Sequence, residues 1–377
     1  VRGREPEAGI GRLEDVNSLQ HRLLLVGTVL SSLAALLTLL WTLVPVTNLF
    51  ADPDNQPPLM QLTGQVPFSV VTVAVAALGV VGGILALRGR SSTPALGVIS
   101  LLQALLFGPF HGTMSTLMVT GYLVALAMVV VVPTLAVLLV RRGGVARWGV
   151  GVPILAVLLA VAVLLRRTLL ALAIHLFPAL LGSAGEIFTA LFFVALGVCW
   201  AGVFAATVSA GGALADMQDR VVRHRELVTV LAAVGPLPYA LARLTWLTPW
   251  PLFGGELAGG DGSTRLWGLT LSLGAWLGVV LTIGLIRPWG EVFPRWFPVI
   301  GGHRVPVAAA AVPGFTVAAL LCFAAVPMIL SGGILGPSGM LVYALFFPCW
   351  FWGPMLALAV WGYVGHRGRQ SAVLAHA

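Results

Sequence analysis

Residues 23–46 read LLLVGTVLSSLAALLTLLWTLVPV, 24 consecutive positions without a charged side chain. A helix needs about 20 apolar residues to cross the hydrocarbon core of a bilayer, so this stretch is long enough to span. Further candidate spans follow at Val66–Leu87, Pro94–Phe107, Ser115–Val140, Val150–Leu165, Ile187–Ser209, Leu227–Leu244, Leu266–Ile286, Val305–Ile329 and Met340–Val364, of which Pro94–Phe107 is short and Val150–Leu165 has an ambiguous end. The expectation is an all-α, polytopic transmembrane helix bundle of about ten spans. The first twenty residues are polar and mixed in charge, and the run after them is long enough to stay in the membrane. No cleavable signal peptide is therefore expected.

Composition agrees. Hydrophobic residues make up 59% of the 377, charged residues only 9%, and mean hydropathy is +1.00. Soluble domains carry roughly 25% charged residues, and no soluble fold of this length could hide so much apolar surface. The net charge of +8 comes from arginines alone, because the chain has no lysine. That absence excludes a retinal or pyridoxal Schiff base and any lysine-dependent phosphate loop. Cys199, Cys322 and Cys349 all fall inside apolar runs without a CxxC spacing, which reads as buried small apolar residues.

The arginines set the orientation, since cytoplasmic segments collect basic residues. With the N-terminus inside, seventeen fall on the cytoplasmic side: Arg2, Arg4, Arg12, Arg22, Arg88, Arg90, Arg141, Arg142, Arg147, Arg220, Arg223, Arg225, Arg287, Arg295, Arg304, Arg367 and Arg369. Only Arg166, Arg167, Arg243 and Arg265 fall on the other. Both termini are therefore expected in the cytoplasm, in a bacterial cell membrane. Trp246, Trp250 and Trp267 would mark the outer interface, and Trp148, Trp289, Trp296 and Trp361 the inner one. Arg166-Arg167 interrupts an apolar stretch that continues to Leu181, so Thr168–Leu181 is read as an interfacial or re-entrant piece.

The chain also carries an internal echo. His21-Arg22 opens the first span, and Trp41 and Pro45 close it; His224-Arg225 opens the seventh, and Trp246 and Pro249 close it. Residues 76–84, AALGVVGGI, align without gaps on residues 275–283, AWLGVVLTI, and an arginine follows each at Arg88 and Arg287. Spans one to four thus match seven to ten as parallel four-helix repeats with an inserted helix pair, a geometry that in transporters encloses a midplane site. The expected segments are 1–20 (cytoplasmic), 21–147 (first repeat), 148–223 (inserted pair with the interfacial piece), 224–366 (second repeat) and 367–377 (cytoplasmic tail). Pro236 and Pro238 should bend the seventh span.

The second repeat's cytoplasmic loop is expanded to RPWGEVFPRWFP over 287–298, followed by GGHRVP over 301–306. This segment resembles one found in uncharacterised multi-pass membrane proteins of actinobacteria. The resemblance implies lineage and membrane location; it implies no activity and carries no site residues. The Ala, Val, Gly and Leu bias and the all-arginine basic set agree with a high-GC genome of that type.

Ionisable groups within membrane spans are candidate functional residues. The outer half collects His111, Arg166, Arg167, His175, Glu186 and Arg243, with Arg243–Glu186 the preferred pair. They could line a vestibule for an anionic or zwitterionic solute or a lipid headgroup; the plainer alternative is interfacial snorkelling. The 287–304 loop could dock a cytoplasmic protein partner or rest on anionic lipid. Nothing in the sequence suits a bis-His haem, a di-iron or HExxH zinc site, a Mg²⁺-diphosphate site or a Gly-x-Ser-x-Gly nucleophile, so no cofactor or metal is expected. The leading expectation is a permease-like protein whose surroundings are the lipid bilayer. The alternatives are a membrane-embedded enzyme or lipid-modifying accessory in envelope or natural-product biosynthesis, and a non-catalytic assembly partner. Nucleic acid is not an expected partner.

Overall fold

The computed structural model describes residues 5–52, 55–113, 151–164, 181–209, 213–252, 262–295 and 301–376, with scattered positions between 133 and 178. The helices are α1 (Glu5–Leu43), α2 (Pro58–Thr63), α3 (Gln65–Leu87), α4 (Thr93–Phe107), α5 (Val152–Leu164), α6 (Ala184–Ser209), α7 (Ala213–Arg223), α8 (Arg225–Val234), α9 (Leu237–Leu244), α10 (Gly262–Gly284), α11 (Pro288–Glu291), α12 (Val307–Ser331), α13 (Gly336–Phe346) and α14 (Cys349–His376). No strand occurs among the described residues; one isolated bridge joins Val292 to Arg304. Among the described residues six stretches are long and apolar enough to cross a membrane: Ser18–Leu43, Gln65–Leu87, Ala184–Ser209, Arg225–Leu247, Val307–Ser331 and Gly336–Ser371. Thr93–Phe107 and Leu271–Gly284 are shorter apolar helices. The protein is therefore all-α and of membrane type. Most of the expected Ser115–Val140 span lies outside the described residues, and the one expected at Val150–Leu165 is the 13-residue α5.

The side chains of α1 show which solvent the fold answers to. Leu24, Gly27, Ser31, Ala34, Thr38 and Trp41, spaced three and four apart, are buried. Val29, Leu33, Leu36 and Leu40 are exposed, Leu36 by 63%. Small and polar residues thus face inward and branched apolar ones outward, the arrangement that hydrocarbon solvent favours because it rewards close helix approach rather than burial of leucine.

By internal contacts the chain divides into two compact units. Unit one takes in the described residues of Val1–Thr116, Gly185–Arg220 and Cys322–Ser331; unit two takes in those of Leu117–Ala184, Val221–Leu321 and Gly332–Ala377. In unit one, α3 presents glycines to both neighbours. A Cβ on Gly83 would lie 2.0 Å from the Thr28 hydroxyl oxygen of α1, and one on Gly82 would lie 2.8 Å from Ile99 of α4. A polar chain then ties four helices together. The Trp200 indole N–H of α6 donates to Ser31 of α1 at 3.0 Å. The Ser31 hydroxyl donates to the Gln103 side-chain oxygen of α4 at 3.4 Å, and the Gln103 amide donates to the Val75 carbonyl of α3.

Unit two is built on interrupted helices. The expected bend of the seventh span is present: α8 ends at Val234, Gly235 donates to the Ala232 carbonyl at 3.2 Å, and α9 restarts at Leu237. Proline without an N–H, at 236 and again at 238, cannot continue the ladder. Pro348 likewise divides the span expected over Met340–Val364 into the end of α13 and the start of α14. A Cβ on Gly235 would fall 2.6 Å from Trp352 of α14, so the break is also the place where α8 meets that indole.

The unit-one chain gives a test. Ser31→Ala leaves the Trp200 N–H and the Gln103 oxygen without their shared partner, at a cost of about 1–3 kcal/mol. Gly79→Ala should destabilise as well, since its Cβ would sit 2.5 Å from the Gln103 amide nitrogen. Thermal melting of the detergent-solubilised variants should show both losses, while an outward-facing Leu36→Val leaves the melting temperature unchanged.

Candidate functional site

Arg243 lies in the last turn of α9, just past the proline break. Its guanidinium carbon stands 3.9 Å from the centre of the Trp246 ring and 5.2 Å from that of Tyr239. Spacings of four and three residues place both rings on the arginine's face of the helix. The rings are themselves held. Trp246 donates its N–H to the Leu252 carbonyl at 2.7 Å and packs where Gly268 of α10 has no side chain. Tyr239 packs against Phe347 with ring centres 4.7 Å apart. Among the described residues no carboxylate lies within ion-pairing distance of Arg243. The faces of two aromatic rings supply the balancing negative potential instead.

Trp246, expected at the outer interface, is only 5% exposed and packs under Arg243. Trp250 is 79% exposed. Side chains of Trp267 and Trp296 lie outside the described residues.

His111 occupies a core position in unit one, 1% exposed. Its ring centre lies 4.9 Å from that of Phe68, 5.1 Å from Phe107 and 4.8 Å from Phe193. Nδ1 is 2.9 Å from the Leu106 carbonyl, which can only accept, so Nδ1 carries a proton. Nε2 is 3.1 Å from the Thr72 hydroxyl, whose single proton is shared between this nitrogen and the Phe68 carbonyl at 2.8 Å. Burial pushes the His111 pKa down to about 4, against a smaller upward pull from the Leu106 hydrogen bond.

The remaining candidates fall in different units or outside the described residues. Glu186 sits half-buried in the first turn of α6, where a carboxylate complements the positive end of the helix dipole. Arg166 is exposed. Arg167 and His175 lie outside the described residues. Glu186 and His111 belong to unit one, and Arg166 and Arg243 to unit two.

The densest polar constellation was not among the expected site residues. Glu291, the last residue of α11, lies 3.2 Å from His366 Nε2 and pairs with Arg225 at 3.7 Å through one carboxylate oxygen, and accepts from Gln370 at 3.1 Å through the other. Arg367, only 8% exposed, donates to the Tyr363 hydroxyl and the Val305 carbonyl, each at 2.9 Å. Tyr363 passes its own proton to the Gly290 carbonyl at 2.8 Å. The Arg-Pro-Trp-Gly-Glu segment is thereby stapled to α8 and α14. Gly290 is required there, because a Cβ would lie 1.9 Å from the Gly284 carbonyl oxygen. Burial opposes ionisation of Glu291, but the Gln370 hydrogen bond and the charges of His366, Arg225 and Arg367 outweigh it and hold the carboxyl below its usual range. A sequence signal existed: Tyr363 and Arg367, and His366 and Gln370, are i,i+4 pairs on adjacent faces of one helix.

No group of three or more His, Cys, Asp or Glu side chains suits a metal among the described residues. The His111 nest predicts a pH dependence. Its folded pKa of about 4 lies below the unfolded value of about 6.5, so between those limits the unfolded chain binds the extra proton. Stability should therefore fall as pH drops through this window, and His111→Gln should flatten the profile of melting temperature against pH. Compared with family models, with curated proteins and with solved structures, this chain matches none.

Proposed function

We propose that this membrane protein is a permease-like transporter for a small anionic or zwitterionic solute or lipid, acting in a bacterial cytoplasmic membrane with both termini inside. The observation that carries the reading is Arg243. It is a guanidinium within an apolar stretch, set beside a broken helix and held against aromatic faces. A charge at such depth is costly and is kept where it meets a ligand or a partner. Ring faces offset the charge while leaving guanidinium N–H groups able to fork onto a carboxylate or phosphate. The broken helices α8–α9 and α13–α14 agree with the reading, since transporters place interrupted helices around their sites. The two-repeat, ten-span plan and the seventeen-to-four arginine asymmetry supply the topology that belongs with it.

Purified protein in proteoliposomes, adsorbed on a solid-supported membrane, tests this with inorganic phosphate, acetate, glutamate and glycine betaine as probes. At least one should elicit a saturable response, and Arg243→Gln should weaken its apparent affinity roughly tenfold or more, as loss of a charge-assisted hydrogen bond does. Arg243→Lys should fall between the two. Equal responses from wild type and Arg243→Gln, or no saturable response to any of the four, contradict the reading.

A further inference from the structure

The two interrupted helices of unit two meet at their interruptions. Gly235, between α8 and α9, faces Trp352 in the first turn of α14: a Cβ there would lie 2.6 Å from the indole Cγ and 2.8 Å from Cδ1. One turn further along, Tyr239 of α9 packs on Phe347, the residue that closes α13, with ring centres 4.7 Å apart. Both breaks fall in the interior of apolar stretches, Arg225–Leu247 and Gly336–Ser371. Irregular backbone at such depth is tolerated where its freed polar groups find partners.

The two breaks meet this demand unequally. Pro348 has no N–H for the Ala344 carbonyl, and the Trp350 indole N–H donates to that carbonyl instead, at 2.9 Å. At the other break Pro238 has no N–H for the Val234 carbonyl. No backbone donor among the described residues reaches the carbonyl of Gly235, which is buried. The indole beside it does not fill the role that Trp350 fills: Trp352 Nε1 is sealed from solvent and has no hydrogen-bond partner among the described residues. Nε1 sits on the ring edge that runs from Cδ1 to Cζ2. Cδ1 faces Gly235, and Cζ2 stands 3.8 Å from a Cβ built on Gly278 of α10. The unpartnered donor is thus enclosed between α10 and the break, beside the residue whose carbonyl is unpartnered.

The chemistry of these groups selects the ligand. An indole N–H only donates, and a backbone carbonyl only accepts. An anion would be repelled by the carbonyl and a bare cation by the N–H, whereas an oxygen that accepts one hydrogen bond and donates another suits both. We infer that the crossing of the two breaks binds one hydroxyl-type oxygen, which accepts from Trp352 Nε1–H and donates to the Gly235 carbonyl, linking α14 to the α8–α9 break. Two sources carry such an oxygen: a buried water, which is kept where several polar groups contact it, and the hydroxyl of a small neutral solute. Bulk water does not reach this depth, so either is a bound component. The site makes no use of Arg243 and does not depend on the transport reading.

Nuclear magnetic resonance of the full chain in detergent, with isotope-labelled indole nitrogens, tests this and separates the sources, with glycerol as the solute probe. Trp352→Phe identifies the Trp352 peak among the twelve tryptophans. If that variant does not fold, Gly278→Ala identifies the peak by shifting it, since its Cβ would make only ordinary contact with Cζ2. The Trp246 N–H, bonded directly to the Leu252 carbonyl, is the internal reference. With water as the ligand, the Trp352 N–H should show a nuclear Overhauser cross-peak to a water proton that the Trp246 N–H lacks, and glycerol should leave it unchanged. With a solute hydroxyl as the ligand, glycerol should shift the Trp352 peak saturably while the Trp246 peak stays in place. A Trp352 N–H with neither a water cross-peak nor a saturable glycerol response, or one that behaves as Trp246 does, overturns the proposal.

Discussion

The Trp200 indole, the Ser31 hydroxyl and the Gln103 amide form one hydrogen-bonded chain across four helices, ending on the Val75 carbonyl. With lipid outside, a buried polar group has no water to fall back on, so each must find its partner within the protein. The same requirement explains the two other polar clusters. His111 satisfies both ring nitrogens inside three phenyl rings, and Glu291 gathers His366, Gln370 and Arg225 from two other helices. Glycine supplies the close approach these bonds need, as at Gly79 beside Gln103 and at Gly290 beside the Gly284 carbonyl.

Cations are handled in three distinct ways. Arg225 meets the Glu291 carboxylate, Arg367 is sheathed in neutral oxygens, and Arg243 rests on Trp246 and Tyr239. The first neutralises charge, whereas the second and third preserve it. A protein that keeps two guanidiniums buried or half-buried without a close carboxylate retains positive potential at two places in unit two.

Much of this was legible in the sequence wherever the signal was local. Six of the apolar runs coincide with the six described stretches long enough to span, and Pro236 with Pro238 located the break between α8 and α9. Arg243 was identifiable because a lone charge in an apolar run stands out. What could not be read was the side to which a residue turns. Trp246 and Trp250 look alike in a hydropathy profile, yet one is buried against Arg243 because Gly268 makes room, and the other is exposed. Arg367 begins what reads as a tail, because hydropathy falls after Val364. The helix instead continues to His376 and buries that arginine against the carbonyls of the 291–305 arch. Glu291 and its partners come from three separated segments, and no spacing rule joins them.

The proposed transport role requires unit two to cross a bilayer with its arginine-rich end in the cytoplasm and the Trp250 end outside. The most direct measurement is labelling with a membrane-impermeant maleimide in intact cells, using single cysteines introduced at Trp250 and Arg304 in a background lacking Cys199, Cys322 and Cys349. The account predicts that position 250 reacts in intact cells and position 304 only after permeabilisation. Reaction of both positions from the same side, or of position 304 alone in intact cells, would contradict it.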